Sequence, residues 1–398
     1  MKKIFQKNYL FLFALIFTFA ACNDPVFYTI SQEVAPKEPR IKGAPSNFAV
    51  YDSAMYAAAG SRLHRYKKNA DGRSVWDREK SPGGKIAQIA STGKTGNLYA
   101  LCYSDSSSNL VLKQFDSESV SWKELGGKTG YDSIRYIYAA GNKLFIGAES
   151  SSSSFAVSYV DETAIDPQAA IKALKLVAEE DKIVTVEIIG AAFDGAEYYI
   201  CTKDGIYRTA DPSVGAEPIA TSVSNFTGIL SLEIGSPTST IVVIRRSGNL
   251  HYLTETGISN SIATISSNSR FQSTGALAIW RDSKSEDDTP KLLLAGRQDM
   301  LEYTITSGYT YGYMELELDS NGIKADARFR EPGQNSVSSI TDGDNGRYKS
   351  TIGTRPVNHI FQAPKEIDAN MTLFASTQKD GVWSYRQRSS GLQWNAEE

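Results

Sequence analysis

Seven segments of the chain share one alternation of apolar and polar positions. Each has an apolar strand, a turn of Gly, Asp, Asn or Ser residues, and a second strand with Tyr, His or Trp. The plainest copies are YYICTKDGIYRT from Tyr198, IVVIRRSGNLHYLT from Ile241, LLLAGRQDMLEYT from Leu292 and LFASTQKDGVWSY from Leu373, and fainter ones begin at Met55, Leu98 and Leu144. Period-two alternation interrupted by such turns predicts antiparallel β-hairpins.

Each hairpin can be extended on both sides into a unit of four strands. A short apolar strand precedes every copy, and the more polar strand that follows carries Trp76, Trp122 and Trp394 in three of them. One such sheet cannot bury both faces, but several sheets stacked around an axis can. The units recur at roughly 43 to 54 residues, the last after about 80, near the spacing of propeller repeats. We therefore predict an all-β fold, a seven-bladed β-propeller of four-stranded antiparallel blades, over residues 46–398.

The layout resembles the quinoprotein-type and kelch-type propeller repeats. Segments such as LYALC, from Leu98, and SVSW, which ends at Trp122, carry this resemblance. DGRSVW, from Asp71 to Trp76, resembles the Asp box of sialidase-type propellers, although Asp and Gly are adjacent here. These resemblances imply an architecture and leave the activity open.

Two stretches depart from the repeat. Between Asp161 and Lys182, Asp166 and Pro167 suit the start of a short helix, yet LKLVA stands where the outer strand of the third unit belongs, so both interpretations stay open. Residues 319–355 form an insertion before the last unit, and its DGDNG at 342–346 predicts a hairpin turn. Loops of this length are often functional.

The first residues predict export and a lipid anchor. Lys2, Lys3 and Lys7 precede an apolar run that is too short for a membrane span, so residues 1–21 are interpreted as a signal peptide. The run ends at Phe-Ala-Ala before Cys22, which resembles the bacterial lipobox, with Phe where that motif usually has Leu. The resemblance implies an acylated Cys22 that binds the lipid bilayer, with residues 22–45 as a Pro-rich tether. We expect a lipoprotein of the cell envelope, with the outer membrane favoured over the inner one.

Charge and cysteine content narrow the classes of ligand. Removal of residues 1–21 deletes three lysines and no acid, so the formal charge goes from −3 to −6 and a nucleic-acid partner is not expected. Cys102 and Cys201 follow apolar residues in non-neighbouring units, which predicts buried free thiols. With three histidines scattered along the chain, no metal or other cofactor is predicted.

Basic residues recur at the turn between the second and third strands of the units. Arg62, Lys203, Arg246, Arg297 and Lys379 occupy this position. The equivalent turns of a propeller share one face, so these side chains would concentrate an anion such as a phosphate, a lipid head group or an acidic glycan. Alternatively, long polar side chains keep exposed hairpins soluble.

Two hypotheses follow for the function. The first is a non-catalytic binding or scaffold module, anchored in the envelope, that holds a protein or an extracellular ligand. The second is a glycan-acting hydrolase or lyase, which would require acids and arginines converging on the propeller axis. No catalytic residue can be assigned, because the chain has no G-x-S-x-G, HExxH or P-loop motif.

Overall fold

Seven antiparallel sheets, each of four consecutive strands, form the structure and confirm the predicted seven-bladed propeller. The structure is a computed structural model that describes residues 41–93, 95–104, 109–126, 133–150, 154–220, 223–232, 240–255, 257–265, 271–281, 290–298, 312–319, 322–323, 328–329, 352, 356–388 and 391–397. Within these residues, no helix is long and apolar enough to cross a membrane.

The strands follow one another blade by blade along the chain. Blade 1 contains β1 (Pro45–Tyr51), β2 (Ala54–Ala59), β3 (Arg62–Lys68) and β4 (Ser74–Glu79); blade 2 contains β5 (Ile86–Ser91), β6 (Leu98–Tyr103), β7 (Leu110–Asp116) and β8 (Ser121–Leu125). Blade 3 contains β9 (Ser133–Ala140), β10 (Lys143–Glu149), β11 (Phe155–Val160) and β12 (Ile171–Ala173), and a small hairpin of β13 (Lys175–Leu176) and β14 (Glu179–Ile183) follows.

The remaining blades repeat this order. Blade 4 contains β15 (Ile188–Phe193), β16 (Tyr198–Thr202), β17 (Gly205–Thr209) and β18 (Glu217–Ala220); blade 5 contains β19 (Phe226–Leu232), β20 (Thr240–Arg245), β21 (Leu250–Thr254) and β22 (Gly257–Ile258). After β23 (Thr264–Ile265), blade 6 contains β24 (Phe271–Trp280), β25 (Lys291–Gln298), β26 (Tyr313–Asp319) and β27 (Gly322–Ile323). Next, β28 (Arg328–Phe329) pairs with β23, and blade 7 contains β29 (Val357–Gln362), β30 (Leu373–Thr377), β31 (Val382–Arg388) and β32 (Gly391–Ala396).

The first strands of the blades are innermost and form a closed ring. Each contacts the next in the order β1, β5, β9, β15, β19, β24 and β29, and β29 contacts β1. Blades 7 and 1 are separate sheets, since β29–β32 and β1–β4 share no strand. Side chains and loops therefore close the ring.

Apolar side chains are buried between neighbouring blades in seven clusters, one at each blade interface. The second strand of a blade is covered on both faces, which explains its continuous apolar run, as in β6. Cys102 lies in the cluster between blades 1 and 2, and Cys201 in that between blades 4 and 5. Both thiols are buried and neither forms a disulfide, as predicted, and burial raises the pKa of Cys201.

Bulges in the inner strands connect one blade to the next. In blade 1, the bulged Asn47 donates from Nδ2 to the Ile89 carbonyl at 2.6 Å and accepts from the Ile89 N–H at 3.1 Å. Gln88, in the bulge of blade 2, accepts from the Ile137 N–H of blade 3 at 3.0 Å. An amide side chain at the bulge thus satisfies backbone groups that β pairing leaves open.

Blades 5 and 6 approach each other more closely, through glycine. A Cβ atom on Gly275 would lie 1.5 Å from the Thr227 carbonyl oxygen, and one on Gly228 would lie 2.0 Å from the Gly275 oxygen. Gly275 also has a φ of +83°, in the region that favours glycine. The two inner strands could not lie at this distance with side chains at these positions.

The structure describes the two stretches that depart from the repeat to different extents. In blade 3, Asp166 caps a 3-10 helix of three residues, Pro167–Ala169, by accepting from the Gln168 N–H at 2.9 Å. The outer strand is β12, just before LKLVA, so the chain contains both a helical turn and an outer strand. The 319–355 insertion contributes β27, the outer strand of blade 6, while the DGDNG turn lies outside the described residues.

Candidate functional site

The cationic turns, defined as Arg62, Lys203, Arg246 and Lys379, lie at one end of the propeller. Three of them belong to the connection between the second and third strands of their blades, and Arg62 is the first residue of β3, directly after that connection. All four side chains are exposed. Arg297, which was predicted at the equivalent turn of blade 6, lies within β25, one residue before the strand ends. In the described part of the chain, none of the four cationic turns forms an ion pair.

Two of these turns are linked through the backbone. The Asn225 N–H donates to the Lys203 carbonyl at 2.9 Å, and the Arg246 N–H donates to the Asn225 carbonyl at 2.8 Å. Asp204 directly follows Lys203 and Asp380 follows Lys379, whereas Arg246 is preceded by Arg245. Positive charge is therefore most concentrated at Arg245 and Arg246.

The described residues begin at this same end of the molecule. The Gly381 N–H donates to the Gly43 carbonyl at 2.9 Å, and the Val382 N–H donates to the Ile41 carbonyl at 3.2 Å. Ile41 is fully buried between blades 7 and 1. The chain thus enters the propeller beside the turn that carries Lys379, while Cys22 lies outside the described residues.

The inner strands give the axis an almost uncharged lining. Among the seven inner strands the only charged side chain is Arg135, which pairs with Glu149 of the same blade. The inner strands also hold His359 in β29, whose pKa burial lowers to about 4, and Tyr136 and Tyr138 in β9, whose pKa values burial raises. The convergence of acids and arginines that a glycan-acting enzyme would require is not found along these strands.

A polar cluster joins the last blade to the first. Trp76 in β4 donates from Nε1 to Oε2 of Glu397 at 3.0 Å, and Arg386 in β31 forms an ion pair with the same oxygen at 2.9 Å. Ser384 donates to the other Glu397 oxygen. Burial raises the pKa of Glu397, and the Arg386 charge opposes that shift.

Beside this cluster is the seam groove, a cavity of about 610 Å³ at the end of the propeller opposite the cationic turns. It is lined by the β3–β4 hairpin of blade 1, the end of β24 in blade 6, and the β29–β30 loop and β31 of blade 7. Its cationic and aromatic lining residues are Lys68, Arg73, Arg281 and Arg386 with Tyr66, Trp280 and Tyr385. Asp368, the only acid among the described lining residues, is 3% exposed and accepts from the Tyr66 hydroxyl at 3.0 Å.

Sequence reasoning did not find the seam groove. Its walls come from segments about three hundred residues apart, such as Arg73 and Asn370, and the repeat does not show which residues meet where the ring closes. One signal in the sequence could have pointed to this place. Trp76 and Trp394 lie in the outer strands of blades 1 and 7, the two blades that meet at the seam.

Comparisons with known proteins show the fold. No family model and no curated protein matches the chain. Among solved structures, the chain is similar to virginiamycin B lyase from Staphylococcus aureus, with a TM-score of 0.52 and 11% identity over 87% of this chain and 96% of that one. It is also similar to a chain of the mitotic checkpoint complex, with a TM-score of 0.50 and 11% identity over 91% and 92% of the two chains. At these identities, the feature that the three chains share is the β-propeller fold.

Proposed function

We propose that the protein is a lipid-anchored propeller of the bacterial envelope that acts as a non-catalytic binding module for an anionic ligand or partner. The observation that carries this proposal is the set of exposed cationic turns, unpaired in the described part of the chain, at one end of a rigid ring of blades. The lipobox-like segment before Cys22 supports the anchor and an envelope location, with the outer membrane favoured.

The place where the described chain enters the propeller supports an orientation for the binding surface. Ile41 and Gly43 pair with blade 7 next to Lys379, so the first described residues and the cationic turns share one end of the propeller. We propose that this end faces the membrane. Negatively charged head groups, or an acidic partner close to the membrane, are the ligands that this charge favours.

The anchor is tested by fractionation of cells that express Cys22→Ala. We expect the variant to leave the membrane fraction, because one buried acyl CH2 contributes about 0.8 kcal/mol and the chains would supply the attachment. Cys102→Ala, which alters a buried thiol of the propeller, is the matched control and should remain attached. Membrane attachment of Cys22→Ala equal to that of the wild type would refute the anchor.

The binding surface is tested with vesicles that contain or lack anionic lipid. Arg246→Glu/Lys379→Glu is compared with Lys175→Glu/Lys365→Glu, two exposed lysines away from the cationic turns that give the same change in net charge. Each basic residue near a charged surface is worth about 1 kcal/mol, so we expect the first variant to lose at least about thirtyfold in affinity and the control to lose little. Equal losses in the two variants would show a general charge effect and contradict the proposed surface.

A further inference from the structure

The seam groove has walls that the protein holds in place. Gln362 accepts from the Arg281 N–H at 3.0 Å, and its Nε2 donates to the carbonyls of Arg281 at 2.6 Å and Met371 at 3.0 Å. One side chain thus fixes the blade 6 wall against the blade 7 wall. On the blade 1 side, Ser74 donates from Oγ to the Ile367 carbonyl at 3.1 Å. A ligand would meet a preformed cavity, which lowers the entropy cost of binding.

Met371 has a backbone conformation that side chains rarely adopt, with a φ of +49°. Its N–H donates to the Asp368 carbonyl at 2.8 Å, so a tight turn presents Asn370 and Met371 to the groove. Such conformations cost about 1 to 3 kcal/mol and persist where the surrounding structure enforces them, often at binding sites.

The described lining of the groove carries positive charge. Lys68 and Arg73 are exposed on the blade 1 wall, and no described residue forms an ion pair with either. Arg386 is neutralised by Glu397, and Asp368 is covered by Tyr66. The charge left for a ligand is therefore cationic and comes chiefly from the blade 1 hairpin, which favours a carboxylate or similar anion.

The opposite wall is an aromatic corner. The rings of Trp280 and Tyr385 lie at 85° with centroids 5.6 Å apart. Lys291 lies 5.2 Å from the Trp280 ring centroid and is held by Glu315 at 2.7 Å, so the orientation of the indole is fixed. Polar groups of Ser74, Asn370 and Thr372 also line the cavity.

We propose that the seam groove binds a carboxylated saccharide. A sugar ring has one flat apolar face for the aromatic corner and hydroxyl groups at its rim for the polar lining, and a uronic carboxylate would meet Arg73 and Lys68. A volume of about 610 Å³ lies in the range of about 300 to 1,000 Å³ that is usual for small-molecule sites. An acidic peptide would use the cations and leave the flat aromatic corner without a matching surface.

The proposal is tested by calorimetric titration of the full chain with an oligogalacturonate, the neutral galactose oligomer of equal length and a glutamate-rich hexapeptide. We expect the carboxylated sugar to bind at least tenfold more tightly than either of the others. Lys68→Gln/Arg73→Gln should weaken that binding at least tenfold, whereas Arg78→Gln, an exposed arginine of the same blade outside the groove, should leave it unchanged.

A second measurement locates the ligand. Indole fluorescence should change on addition of the oligogalacturonate, and Trp280→Phe should remove that change while the chain remains folded. Arg246→Glu/Lys379→Glu should bind the sugar normally, which separates this site from the cationic turns. No binding at millimolar concentration, equal binding of the neutral sugar, or tighter binding of the peptide would each overturn the proposal, as would unaltered binding by Lys68→Gln/Arg73→Gln.

Discussion

Trp76 and Glu397 lie 321 residues apart in the chain, and a 3.0 Å hydrogen bond joins them between the first and the last blade. Because no strand is shared between these blades, this bond stabilises the closure of the ring, and the Arg386 ion pair within the last blade holds the carboxylate in place. Loss of the carboxylate would leave the buried indole N–H without its acceptor and would remove the ion-pair partner of Arg386, whose side chain is 37% exposed.

Glu397→Ala is therefore expected to lower the free energy of unfolding by about 1 to 3 kcal/mol, the usual cost of leaving a buried donor, here the Trp76 indole N–H, without its acceptor. Chemical denaturation followed by tryptophan fluorescence measures the change. Glu217→Ala, which removes a carboxylate that is 56% exposed, serves as the control and should cost less than about 1 kcal/mol. A loss below about 1 kcal/mol for Glu397→Ala would show that the apolar contacts alone close the ring.

Asn47→Ala is expected to destabilise the propeller by about 1 to 3 kcal/mol, because the Ile89 N–H and carbonyl would both lose their partner. Gln88→Ala should cost less, since Gln88 satisfies one backbone group of the next blade. Thermal unfolding of the two variants, with the exposed Asn260→Ala as reference, ranks them. The reverse order would mean that the bulge amides do not connect the blades.

Gly275→Ala should be the most damaging of the glycine substitutions, at about 3 kcal/mol or more, because overpacking and a strained φ act together. The added Cβ would lie 1.5 Å from the Thr227 carbonyl oxygen. Gly195→Ala is the matched control: its φ of +105° is also unfavourable, but its Cβ would meet open space, and we expect a cost of about 1 to 2 kcal/mol. Similar unfolding midpoints for the two variants would contradict the close approach of blades 5 and 6.

His359 should make the protein sensitive to acid. Burial lowers its pKa from 6.5 to about 4, so between these values the unfolded chain binds more protons than the folded one. Its contribution to stability is complete above pH 6.5 and is lost as the pH falls toward 4, by up to about 2 kcal/mol at pH 4.5. His359→Gln should flatten this part of the stability profile. Parallel profiles for variant and wild type between pH 4.5 and 7.5 would refute the assignment.

Much of the fold could be predicted from the sequence because the blade pattern is local. The segment YYICTKDGIYRT alone predicts the hairpin of β16 and β17. The position of Cys102 and Cys201 in the repeat predicts that both are buried. The position of the cationic turns follows from the same register. The bulge at Asn47 was not visible, since the adjacent polar residues Ser46 and Asn47 are typical of a loop before the apolar run that begins at Phe48. The seam groove depends on which loops meet when the ring closes.

The pairing of Ile41 and Gly43 with blade 7 has a mechanical consequence. Ile41 and Gly43 precede β1 in the chain, so tension applied from the amino-terminal side would reach their two hydrogen bonds to Val382 and Gly381 before it reached any strand of blade 1. Such a force would therefore be transmitted first into the closure between blades 7 and 1.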